Sequence, residues 1–85
     1  MEEKETLLKE TGKWLGRLEA DFKKIKIKND SKEVREQLTN IKAYISDCKY
    51  FLGKKDYVNA FEAIVYAWGI AETLERLGLL QLKGK

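Results

Sequence analysis

The sequence has no histidine and no proline, and Cys48 is its single cysteine. Without histidine, the chain lacks the most frequent general base and the most frequent metal ligand of proteins. One cysteine cannot form an internal disulfide, and it favours a reducing compartment. Glycine-rich phosphate loops and paired-cysteine motifs are also missing. These absences argue against an enzyme and predict no catalytic, cofactor or metal site.

Long apolar runs are missing as well. No stretch approaches the roughly 20 residues that a membrane-spanning helix needs. The first five residues are charged apart from Met1 and lead into an amphipathic pattern, so no signal peptide is visible. We therefore predict a cytoplasmic protein with no membrane partner. The 85 residues suit one domain, 1–85, with fraying expected at residues 1–4 and 83–85.

Helix formers dominate what is present, and apolar residues recur at three- and four-residue steps. The predicted helices cover about residues 4–27, 31–52 and 57–77. Either Asp30 or Ser31 suits the N-cap of the second helix, and Asp56 suits that of the third. Gly53 and Gly78 suit left-handed positions at the two helix ends that they follow.

Short links between the helices predict antiparallel neighbours, and hence an all-α, up-down-up three-helix bundle. The alternative is a helical hairpin with the first helix packed loosely or swapped onto a partner.

The third helix is apolar over a wide arc. Its apolar and small residues fill roughly 200° of the circumference, whereas one helical contact needs a stripe of about 100°. Contact with both other helices explains part of the excess, and a second subunit could use the rest. The surplus residues available for self-association are Ile70, Leu77, Leu79 and Leu80.

Small residues offer a separate and weaker signal. The third helix carries a strip of alanines, namely Ala60, Ala63, Ala67 and Ala71. Gly12 and Gly16 of the first helix could pack closely against this strip, because a glycine inside a helix destabilises it by about 1 kcal/mol without such a reason. The other interpretation is an exposed glycine pair that the helix tolerates.

Lysines collect at one end of the predicted bundle. The end of the first helix, the first loop and the chain terminus contribute Lys23, Lys24, Lys26, Lys28, Lys32, Lys83 and Lys85. Such a cluster can bind phosphates in a salt-dependent way. The other interpretation is that these lysines serve solubility and provide favourable charge at a helix C-terminus.

Tyrosines and polar groups meet at the opposite end. The candidate contact surface around the second turn comprises Tyr50, Tyr57, Asp56 and Asn59. Tyrosine offers apolar area together with a hydroxyl, which suits a protein interface. The alternative is that these side chains only pack the turn.

The sequence around the second turn resembles the pattern of a known protein family. The segment 50–57 reads YFLGKKDY, followed by NAFEA at 59–63, YAWG at 66–69 and a closing LG at 77–78. This pattern, over about residues 31–80, resembles an archaeal family of short helical proteins, domain of unknown function 357. The resemblance implies an archaeal cytoplasmic protein with a helical fold, and it brings no established activity and no functional residues.

Two functional hypotheses follow. The first is a non-enzymatic interaction module that binds a second copy of itself, as a dimer, or another protein, through the third helix and the C-terminal tail. The alternative is an accessory RNA- or nucleotide-binding protein that uses the lysine-rich end.

Overall fold

The computed structural model of the chain describes residues 2–82. Its elements are α1 (Glu2–Lys23), β1 (Lys26–Ile27), α2 (Lys32–Gly53), α3 (Tyr57–Arg76) and β2 (Leu80–Gln81). The predicted all-α three-helix bundle is therefore confirmed, with a two-residue ribbon added at one end. Residues 1 and 83–85, where fraying was expected, lie outside the described part.

The helices alternate in direction. Glu19 of α1 forms an ion pair with Lys49 of α2, and farther along α1 the Phe22 ring lies 6.0 Å from the ammonium of Lys42. Since the α2 number falls as the α1 number rises, these two helices are antiparallel. The three-residue link makes α2 and α3 antiparallel as well, and β1 runs antiparallel to β2, with Lys26 opposite Gln81. This arrangement is the up-down-up order.

α3 occupies the centre of the bundle. Both α1 and α2 pack mainly against α3 and meet each other over a shorter stretch. The buried residues of α3 are Ala60, Ala63, Ile64, Ala67, Ala71 and Leu74. The alanine strip therefore lies inside the bundle, where small side chains let two neighbouring helices come close. Two covered sides account for most of the wide apolar arc.

α1 is firmly attached to this centre. The indole of Trp68 donates a hydrogen bond to the backbone oxygen of Trp14, at 3.0 Å, and the two rings meet edge to face with centroids 5.8 Å apart. A loosely packed first helix is therefore not what the structure shows. Gly12 and Gly16 have no atom within 4 Å of an added Cβ, so they are the exposed pair and do not pack against the alanines.

α1 ends at Lys23, four residues before the predicted end, and this boundary was wrong. The reason lies in Ile25-Lys26-Ile27-Lys28, where apolar and polar residues alternate with the period of a strand. The backbone N–H of Lys28 donates to the oxygen of Leu79, at 2.9 Å, beside the β1–β2 pair. Pairing with the C-terminal segment therefore replaces the last turn of the predicted helix.

Both predicted N-cap positions are used. The Ser31 hydroxyl accepts from the Val34 N–H at 3.1 Å, so Ser31 caps α2, while Asp30 contacts Arg35 at 3.5 Å instead. The Asp56 carboxylate accepts from the backbone N–H of Asn59 at 3.3 Å and caps α3.

Both helix ends before the turns form Schellman motifs. After α3, Gly78 has φ 75° and the Leu79 N–H donates to the Leu74 oxygen at 3.0 Å, as expected. After α2, the left-handed residue is Lys55, with φ 61°, and Gly53 is the last helical residue. The prediction for Gly53 was therefore wrong by two positions, because the helix continues through the glycine.

Candidate functional site

The outward side of α3 carries apolar side chains that the bundle leaves uncovered. Val65 is 49% exposed and Tyr66 is 52% exposed, although both lie near the middle of the central helix. Beside them, α3 and one residue of α2 enclose a shallow groove of about 530 Å³. We call it the α3 groove, and its lining residues are Gln37, Val65, Tyr66, Gly69, Ile70, Thr73 and Leu74.

Gly69 creates the hollow at the middle of the α3 groove. An added Cβ at Gly69 would meet no atom within 4 Å. Val65 and Thr73 lie one turn before and one turn after it on the same face, so the missing side chain leaves a gap between two small ones. A glycine in the middle of a helix destabilises it by about 0.5–1 kcal/mol relative to alanine. Within residues 2–82, no neighbouring helix comes close enough to Gly69 to require the absence of a side chain.

The surface of the α3 groove is mainly apolar. The Thr73 hydroxyl donates to the backbone oxygen of Gly69 at 2.8 Å. On the far side of Tyr66, its ring packs against Tyr44 of α2, with centroids 5.5 Å apart. The groove therefore presents an apolar surface on a rigid helix, which is the form of a protein-docking site.

The four residues predicted for self-association lie in two different environments. Ile70 lines the α3 groove, and Leu77 is 66% exposed beyond its end. Leu79 is partly buried against the core, while Leu80 is 1% exposed and pairs with Ile27. Leu80 was therefore assigned wrongly, because the ribbon folds it into the chain's own core.

The lysines come together at the ribbon end of the bundle. Those within the described residues are Lys23, Lys24, Lys26, Lys28 and Lys32, and all are exposed. Among the described side chains, those of residues 4–82, none of these five forms an ion pair. Lys83 and Lys85 lie outside the described residues. Pairing of β1 with β2 places the first loop beside the C-terminal segment, so the cluster of positive charge faces solvent at one end.

The second turn has a mainly structural arrangement. The Asp56 carboxylate accepts from both the backbone and the side-chain amide of Asn59, the latter at 2.6 Å, which is the cap of α3. Tyr57 is partly buried. Tyr50 and Asn59 are exposed, Tyr50 at 60%, and the Tyr50 ring lies 5.7 Å from the Lys54 ammonium.

A second hollow, of about 360 Å³, lies between α1 and α3 and is lined by Trp14, Arg17, Asp21 and Trp68. The Arg17 guanidinium lies over the Trp14 ring at 5.0 Å, and the Lys13 ammonium lies 5.2 Å from the same ring. The chain's own cations therefore contact the aromatic surface that a flat ligand would need.

Cys48 lies in the core and is fully buried. Burial raises the pKa of its thiol to about 11, the charge of Glu19 adds to this increase, and Lys49 opposes it. Such a thiol is a poor nucleophile near neutral pH, because only the thiolate reacts.

Among the residues whose side chains are described, no three Cys, Asp or Glu are grouped as metal ligands. No helix within residues 2–82 has the length and apolar character required to cross a bilayer.

A sequence model of one protein family, described as "Protein of unknown function (DUF357)", matches residues 13–80. The chain belongs to this family. The crystal structure of protein AF1782 from Archaeoglobus fulgidus, which carries the same DUF357 designation, is similar, with 42% identity and a TM-score of 0.81. The similarity covers 94% of this chain and 97% of that one. Comparison with curated proteins gives no match.

The DUF357 match confirms the resemblance and extends it into α1. The matched span contains the whole α3 groove, which the sequence reasoning missed. The available signal was Val65, an apolar residue on the otherwise polar side of α3, next to Gly69. Glu62, Glu72 and Arg76 share that side, so a helical projection alone gives it a polar character.

Proposed function

We propose that this DUF357 protein is a small non-enzymatic interaction module of the cytoplasm, and that it self-associates through the α3 groove. The observation that supports this proposal is the exposure of Val65 and Tyr66 beside the hollow at Gly69. Contiguous apolar surface on a soluble chain is typical of a docking site. The buried thiol of Cys48 suits a reducing compartment.

The groove is suited to receive a helix. Its apolar residues lie at three- and four-residue steps along α3, which is the pattern of a helix that packs against another helix. The rigid position of α3 between two neighbours reduces the ordering that binding requires. Leu77 extends this surface toward the end of α3, whereas Leu79 and Leu80 serve the chain's own fold.

The test is the change Val65→Glu, which places a charge at the groove while leaving the core intact. Light scattering on size-exclusion eluates should show the parent mass rising with concentration from 9.9 kDa toward twice that value. Val65→Glu should remain at 9.9 kDa at the same concentrations. Circular dichroism should show equal helicity for both, because Val65 is half exposed.

The matched control is Leu8→Glu, which changes an equally apolar side chain on α1 that is 44% exposed. It should self-associate as the parent does. A parent that stays at 9.9 kDa up to millimolar concentration would contradict the proposal, as would equal loss of association in both variants.

A second candidate function is the binding of RNA or nucleotides at the lysine-rich end. The observation that favours it is that the ribbon brings five exposed lysines together without an ion pair among residues 2–82. Phosphate backbones bind such clusters with affinity that falls steeply as salt rises.

Its test compares two triple variants with the same net charge. Lys24, Lys26 and Lys28 become Gln in one, and Lys4, Lys9 and Lys13 become Gln in the other, at the opposite end of α1. Fluorescence anisotropy with a labelled single-stranded RNA should show weaker binding only in the first, with the salt slope reduced by about 0.7 per lost contact. Equal losses in both, or no binding by the parent at low salt, would reject this function.

A further inference from the structure

We infer that two copies of this chain pair through α3 in an antiparallel arrangement, with Gly69 of each copy at the two-fold axis. This inference rests on the proposed self-association and specifies its geometry. The occupant of the α3 groove is then a second copy of the chain itself, and its Tyr66 is the side chain that enters.

The charges on the outward side of α3 are placed symmetrically about Gly69. Glu62 lies seven residues before it and Arg76 seven residues after it. Seven residues rise about 10 Å along the helix axis and rotate about 20° short of two full turns. Glu62, Gly69 and Arg76 therefore share one face of α3. Both charged side chains are exposed, and within the described part of the chain neither forms an ion pair.

Antiparallel pairing about Gly69 converts this symmetry into attraction. A residue that lies n positions before Gly69 is then level with the residue n positions after it in the other copy. Glu62 of each copy therefore meets Arg76 of the other, and the contact occurs twice. In a parallel pair, Glu62 would meet Glu62 and Arg76 would meet Arg76, and both contacts would be repulsive.

The shape of the surface fits the same arrangement. Gly69 has open space where its Cβ would be, so two α3 backbones can cross closely there. Tyr66 lies beside Gly69 on the side of the α3 groove and is 52% exposed. In the antiparallel pair, Tyr66 of one copy lies level with the segment between Ile70 and Thr73 of the other copy. Ile70 and Thr73 line the α3 groove, which the Tyr66 ring would fill.

The experiment reverses one charge at a time. Glu62→Lys alone creates two Lys–Arg contacts, and Arg76→Glu alone creates two Glu–Glu contacts. Each variant should dimerise about ten-fold more weakly than the parent at low salt, measured by sedimentation equilibrium. An equimolar mixture of the two restores opposite charges at both contacts. It should form a heterodimer with an affinity near that of the parent, detected with one variant fluorescently labelled.

Asp47→Lys, which reverses an exposed carboxylate of α2, is the matched control and should dimerise as the parent does. Thermal melts of each variant check that the fold is kept. If the parent dimerises but neither single reversal weakens the dimer, or the mixture binds more tightly than the parent as parallel pairing predicts, the antiparallel register is wrong and the proposed self-association stands. A parent that stays monomeric overturns both.

Discussion

The buried side of α3 and its outward side, which we call the open side, both carry small residues. The helices α1 and α2 cover only the buried side. On the buried side, Ala60, Ala63, Ala67 and Ala71 lie under α1 and α2, so their small side chains are explained by close packing inside one chain. On the open side, Gly69 is smaller still, and within residues 2–82 no atom of another helix lies within 4 Å of the position that its Cβ would take. Close packing therefore explains the small residues of the buried side, whereas at Gly69 the neighbour that we propose is a second copy of the chain.

The two sides also differ in how far their large side chains are exposed to solvent. Ile64 is fully buried, whereas Val65, the next residue, is half exposed. One residue of helical rotation thus separates the core from the proposed docking surface. Changes on one side should act on folding and changes on the other side on association.

The largest effect is expected from Ile64→Ala. Removing a fully buried isoleucine side chain should lower the free energy of unfolding by about 2–5 kcal/mol, because a cavity is left in the core. Val65→Ala should stay within about 0.5 kcal/mol of the parent. Urea denaturation at low protein concentration measures both. Similar losses would show that the two sides are equally covered, and the comparison would fail.

A second difference concerns thiol reactivity. Because the pKa of Cys48 is raised to about 11, its thiolate fraction at pH 8 should be roughly one hundred-fold below that of an ordinary cysteine. Labelling by iodoacetamide should accordingly be at least that much slower than in the urea-unfolded chain. In the variant Val65→Cys, one thiol should react at an ordinary rate and Cys48 should remain slow. Fast labelling of Cys48 in the parent would contradict its burial.

The smallest effect is expected from glycine replacement. Gly69→Ala and Gly16→Ala should each stabilise the monomer by about 0.5–1 kcal/mol, because both positions are helical and have room for a Cβ. Only Gly69→Ala should weaken self-association, since only Gly69 lies in the α3 groove. Sedimentation equilibrium together with urea denaturation separates the two effects. Equal association in both variants would remove Gly69 from the interface.

Much of the fold could be predicted from the sequence because its signals are local. The caps at Ser31 and Asp56 and the Schellman motif at Gly78 involve residues within a few positions of each other. These residues therefore favour the helix ends that they form without help from distant parts of the chain.

The ribbon could not be predicted in the same way. Each strand has two residues, and its pairing partner lies more than 50 positions away along the chain. The alternation at Ile25–Lys28 was visible in the sequence, but the helical pattern that precedes it suggested a continued helix. Leu80 was therefore placed on the surface although it belongs to the core.

The α3 groove was missed for a related reason. A helical projection gives the width of an apolar arc, but not which part of it α1 and α2 cover. Val65 falls among Glu62, Glu72 and Gly69 on that projection and looks like part of a solvated face. Only the packed arrangement shows that Val65 and Tyr66 border an apolar hollow.

Amide chemical shifts measured from micromolar to millimolar protein concentration test the central claim most directly. Self-association through the open side of α3 should shift the amide signals of Val65, Tyr66, Gly69 and Ile70, while those of the buried side and the lysine-rich end change little. Spectra that do not change with concentration would contradict self-association. Shifts centred on the second turn or on the ribbon would contradict the assignment of the docking surface to α3.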